Sequence, residues 1–227
     1  MTAGLEAIGF PRCHGDAMAV HSAMRAPLTA WQERIATWIR QPDADAMILS
    51  SIGFDFRTIA GSLPADDALD AAVADAHANP AFVRLLTKVA LRHEPPTGFI
   101  KQLVVESKGE HRGTLDLKHG GITIVTSIAR ARAVAAGASV KDTPGRLAAA
   151  ARGGTLEPAS GAELDEAFRF LLDLRLRHQA RQVRAGMPAD DFVDPGDLGP
   201  VERSGLREAF HTIRREQQAL AVEVDVR

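Results

Sequence analysis

Asp55 and Arg57 stand two residues apart in the stretch ILSSIGFDFRTIAGS (Ile48 to Ser62), each between large apolar neighbours. If the stretch is extended, side chains alternate, so the two charges share the face opposite Phe54 and Phe56. Burying such charges unpaired is costly, so they pair with each other, reach solvent or take part in chemistry. A second pair, Asp116 and Lys118 in TLDLKHGG, has the same spacing and precedes a Gly120-Gly121 turn. A third group is Arg175, His178, Gln179 and Gln182 in RLRHQARQVR, where spacings of three and four align them along one side of a helix. Such a row suits a phosphate or a base. Each group also has an ordinary structural reading: an ion pair at a strand end, a solvated hairpin face and a solvated helix flank.

The elements that must position these residues follow from the apolar pattern. Leu28, Trp31, Ile35 and Trp38 mark one face of a helix that QPDAD ends, and the quoted stretch reads as the strand after it. Asp66 or Asp67 is expected to cap a helix running to about His77. Asn79-Pro80 reads as an N-cap with proline at the first helical position. The segments FIKQLVVE and TLDLK, flanking the polar SKGEHRG, are expected to form a hairpin. A helix from about Ser127 to Ala136 should stop at Gly137, and Thr143-Pro144 should open another. Two long helices, 161–185 and 201–222, carry broad apolar stripes, with Gln217 inside the second. The expected fold class is mostly α, a helical bundle preceded by a short α/β piece.

The 227 residues suffice for one large domain or two small ones. A net charge of −2 argues against a protein that coats nucleic acid. One cysteine, Cys13, excludes an internal disulfide framework, and Cys13-His14 brings no further zinc ligands nearby. The first residues do not have the pattern of a signal peptide, and no apolar run reaches the roughly 20 residues of a membrane span. A cytoplasmic protein is therefore expected. The P-loop, dinucleotide, zinc-protease and C-x-x-C motifs are absent.

Taken in order, GFPRCHGDAMA, LTAWQERIATWI, FDFRTIAG, PPTGFI, LDLKHGG, TPGRL, AFRFLLDLRLRHQ and DPGDLGPVERSGLREAF resemble a family. The succession is similar to the C-terminal part of bacterial putative nucleotidyltransferases found downstream of cyclic-nucleotide-binding and CBS domains. Those are related to PII uridylyltransferase and glutamine-synthetase adenylyltransferase. The resemblance implies that residues 1–62 are the tail of a nucleotidyltransferase domain and 63–227 a helical substrate-binding domain. It implies transfer of AMP or UMP, from ATP or UTP, to a hydroxyl of a regulatory protein.

The family's Gly-Ser and Asp-x-Asp catalytic residues are missing here: GSLP at 61–64 is followed by no such pair. Two-metal chemistry needs that cluster. Asp55 then corresponds to a third, metal-binding carboxylate and Arg57 to a phosphate contact or a brace for it. Magnesium is expected only with the complete catalytic half. Asp116, Lys118, Arg130, Arg146, Arg175, His178 and Gln179 stand at positions implied to bind nucleotide, phosphate or acceptor. One departure is ADDFVDP, where the family more often has asparagine after the first acidic residue. The chain alone is expected to be inactive, as part of a longer product or with a partner supplying the catalytic half. The alternative is a non-catalytic nucleotide-sensing or docking module. Apolar surface around Phe54, Phe56 and Ile59 is expected to favour a homodimer or such a partner.

Overall fold

The structure is a computed structural model that describes residues 2–8, 17–98 and 103–226. Cys13 and His14 lie outside these residues, as does part of FIKQLVVE. The chain forms two compact units, Met1–Asp75 and Ala76–Arg227. The expected domain boundary after residue 62 falls between two helices of the first unit.

The first unit is helical: α1 (Thr2–Ala7), α2 (Leu28–Arg40), α3 (Ala44–Gly53) and α4 (Ala65–Val73). In α2, Ile35 and Ile39 are buried, and Trp31 meets Trp38 edge-on with centroids 6.2 Å apart. The expected strand at Ile48 to Ser62 is not formed. Asp43 accepts a hydrogen bond from the Ala46 amide at 2.8 Å and starts α3, which absorbs the first part of the stretch. Alternation over Phe54 to Arg57 is too short to outweigh that cap. Asp55 and Arg57 are both exposed in the turn and irregular segment after α3. Phe54 is buried, whereas Ile59 is 75% exposed, so only part of the expected apolar surface is open. Asp66 caps nothing: its Oδ1 accepts hydrogen bonds from the Thr58 amide and hydroxyl.

The second unit contains α5 (Pro80–Ala90), α6 (Thr123–Ala135), α7 (Thr143–Arg152), α8 (Pro158–Arg184) and α9 (Pro200–Val226). Asn79 caps α5 through the amides of Ala81 and Phe82, as its place before Pro80 predicts. α6 ends where Gly137 adopts φ 69°. Ile124, Ile128, Leu147, Leu164, Leu171, Leu174, Phe210 and Ile213 form the core and are almost wholly shielded. Among the described residues no helix is long and apolar enough to cross a membrane.

The expected hairpin closes only beside its turn, where the Glu106 amide donates to the Thr114 carbonyl at 2.9 Å and the Gly113 amide to the Glu106 carbonyl at 2.8 Å; beyond that, TLDLK takes a longer-range partner. β1 (Leu115–Asp116) pairs antiparallel with β2 (Phe192–Val193), with Leu115 opposite Val193 and Asp116 opposite Phe192. Leu103 bridges Thr97 instead of TLDLK. The turn after β1 is a single turn of π-helix, Lys118–Ile122, running directly into α6. Asp116 and Lys118 therefore do not share a strand face, and Gly120-Gly121 is helical and closely packed. A Cβ on Gly120 would lie 2.9 Å from Pro96 Cδ. One on Gly121 would lie 2.7 Å from Leu171 Cδ1 and 3.1 Å from Phe210 Cε1. The glycines are needed for close approach, not for flexibility.

Candidate functional site

The π-turn presents His119 beside Asp116. The Asp116 carboxylate engages the residue twice: Oδ1 accepts from the His119 amide at 2.9 Å and Oδ2 meets the ring Nδ1 at 2.7 Å. An ionised carboxylate only accepts, so Nδ1 carries a proton and Nε2 holds the lone pair of the neutral ring. The ring centroid lies 6.0 Å from that of His93. Together with Glu94 and Glu106, these groups form the polar wall of a cleft of about 170 Å³. Pro96, Val104 and Leu115 supply its apolar wall. At the rim Arg214 donates to the Thr97 hydroxyl at 3.2 Å and approaches Glu94 at 3.9 Å.

The floor is fixed from two sides. Gln217, buried on α9, donates to the carbonyls of Ala90 at 2.8 Å and His93 at 2.7 Å, completing the end of α5. From the other side the Leu117 amide donates to the Asp191 carbonyl at 3.0 Å, continuing the β1–β2 pairing.

The polar row on α8 meets the same segment. Arg175 Nε and Gln179 Nε2 both donate to Asp191 Oδ1, at 2.5 and 2.9 Å. His178 Nε2 meets Asp190 Oδ1 at 3.0 Å, and Gln182 Oε1 accepts from the Asp190 amide at 2.9 Å. The structure thus brings Arg175, His178 and Gln179 together, but around two aspartates that bind the β2 loop to α8. Burial pushes the Asp190 carboxyl up, yet hydrogen bonds from His178, Gln182 and the Phe192 amide hold it below its ordinary 3.8. A carboxyl depressed in the folded state stabilises it above the unfolded pKa, and that contribution disappears as pH falls through the folded value. The Phe192 amide is therefore expected to lose exchange protection, relative to its intrinsic rate, as pH falls below 3.8. Asp190→Ala, which removes the acceptor, should show the loss at neutral pH; protection persisting in that variant would contradict the latch.

Residues 80–224 match the family described as putative nucleotidyltransferase substrate binding domain. The chain belongs to that family. Residues 1–45 match a second family, putative nucleotidyltransferase DUF294. No curated protein and no solved structure matches the chain. The substrate-binding-domain match runs from α5 into α9, and therefore includes the cleft, the π-turn and the α8 row.

Of the residues implied by the family resemblance, Asp116 lines the cleft and Lys118 is exposed at the start of the π-turn. Arg130 and Arg146 are buried at 5% and 4% exposure. Arg146 Nε donates to the Val140 carbonyl at 2.8 Å, bracing the loop before α7. Asp55 and Arg57 belong to the first unit. Among the described residues no three His, Cys, Asp or Glu side chains are grouped to hold a metal ion. Asp55 by itself does not make up a two-magnesium centre, which needs a cluster of carboxylates.

Sequence reasoning missed His93, His119 and Arg132. The i,i+3 spacing of Asp116 and His119 was the available signal for the second, because those side chains meet on one helical turn. Arg132 of α6 gave none: its partners, Glu216 and Glu223, lie on α9 far along the chain.

Proposed function

We propose that the chain is the acceptor-holding portion of a nucleotidyltransferase. In this reading AMP or UMP passes from ATP or UTP to a hydroxyl of a regulatory protein, in the manner of PII uridylyltransferase. The observation that supports it most is the cleft of imidazole and carboxylate groups within the substrate-binding domain. Three carboxylates repel a triphosphate, so the cleft suits the acceptor side of the reaction. The Gly-Ser and Asp-x-Asp groups, with their magnesium, belong to a complete catalytic half, to which Asp55 adds one carboxylate and Arg57 a phosphate contact. The chain alone is then inactive and works in the cytoplasm with that half.

The test is calorimetric titration with ATP, UTP, GTP and CTP, with and without magnesium, on the chain and on Asp55→Ala. Magnesium-dependent binding of ATP or UTP that vanishes in the variant supports the reading. Absence of binding by every nucleotide removes Asp55 from a nucleotide site and favours a docking module.

A further inference from the structure

We propose that His119 is the proton acceptor for the hydroxyl group that the cleft receives. The proposal rests on the transferase reading for its phosphoryl donor, and on the cleft for everything else. Asp116 holds His119 through backbone and ring at once, which sets the tautomer of a ring that is itself 53% exposed. Nε2 is the remaining basic atom. Its natural partner is a donor, either O–H or N–H, and not a phosphate oxygen.

The surroundings narrow the choice further. A volume of about 170 Å³ is below the roughly 300–1,000 Å³ that encloses a drug-sized ligand, so the cleft suits a group of side-chain size. Pro96 and Val104 receive an apolar body while His119 and His93 meet a polar tip. The support is rigid: Gly120 abuts Pro96, Gly121 abuts Leu171 and Phe210, and Gln217 holds the His93 carbonyl. A proton acceptor needs such fixed geometry first and a suitable basicity second.

In the transfer step the hydroxyl oxygen forms a bond to the α-phosphorus of the nucleoside triphosphate. The bond from that phosphorus to the bridging oxygen breaks, and pyrophosphate leaves with the electron pair. The hydroxyl proton passes to Nε2 of His119, and Asp116 stabilises the resulting imidazolium. Solvent then takes the proton and restores the neutral ring.

The experiment is long-range proton–nitrogen NMR of the full chain, assigned through His119→Gln. The wild-type ring should be held with its proton on Nδ1, and Asp116→Asn should abolish that preference. Millimolar N-acetyl-tyrosinamide or N-acetyl-serinamide should shift the His119 signals, with N-acetyl-phenylalaninamide leaving them in place; the two hydroxyl probes separate a phenol from an alkyl alcohol. A wild-type ring protonated on Nε2 alone would overturn the proposal without any variant. So would hydroxyl probes that leave His119 unmoved. Failure of the nucleotide titrations would instead remove the transferase reading, and neither NMR signal depends on it.

Discussion

Arg132→Met is expected to destabilise the second unit by about 3–5 kcal/mol, the range for removing one partner of a buried ion pair. The Arg132 side chain is 10% exposed and Glu216 is 7% exposed. Nη2 donates to Glu216 Oε1 at 2.8 Å and to Glu223 Oε1 at 2.9 Å, while Nη1 donates to Glu223 Oε2 at 2.8 Å. Burial pushes the guanidinium pKa down, but hydrogen bonds to Glu223 and Glu216 raise it above its ordinary value, so the group stays charged. Removing it strands the Glu216 carboxylate between α6 and α9. Chemical denaturation measures the loss, and Arg132→Met with Glu216→Leu should recover much of it, because the buried carboxylate is then gone and the remaining one, Glu223, is about half exposed and reaches solvent. A single variant within about 1 kcal/mol of wild type would show that water already reaches the pair.

Gln217→Leu comes second. The substitution keeps the apolar stripe of α9 but removes both donations to the end of α5, to Ala90 and His93. Each orphaned carbonyl costs about 1–3 kcal/mol. For a chain of this size each kcal/mol lowers the melting temperature by roughly 2–4 °C. Amide exchange should also quicken around residues 91–94, the segment that carries the His93 wall of the cleft. A variant that melts with wild type would mean that another donor serves those carbonyls.

The bundle was legible because its helices are long and carry their own signals. Asn79-Pro80 and Gly137 mark helix ends by local backbone chemistry, and the stripes of α8 and α9 persist over several turns. The segment around Asp55 misled because four alternating residues resemble a strand, while the deciding signal, the Asp43 cap, lies earlier in what reads as a break. The hairpin went no further than Glu106 and Thr114 for a different reason: strand pairing is a long-range choice, and β1 found Phe192–Val193 across three helices. The α8 row was correctly placed on one face, yet its partners, Asp190 and Asp191, belong to a loop that spacing alone does not join to it. His119 was within reach of local reasoning once the residues after Asp116 are helical instead of extended.

The π-turn between β1 and α6 carries one more consequence. A π-turn holds one residue more than the α-turn it replaces, and each residue of an α-helix rotates the chain by about 100°. Residues before it are phased to β2, and residues after it are phased to the core against α8 and α9. Deleting any one residue from Lys118–Ile122 would relax the turn to ordinary helix and force one of those phases to yield. The number of residues separating Asp116 from Ile124 is thus a structural constraint in its own right, independent of which residues they are.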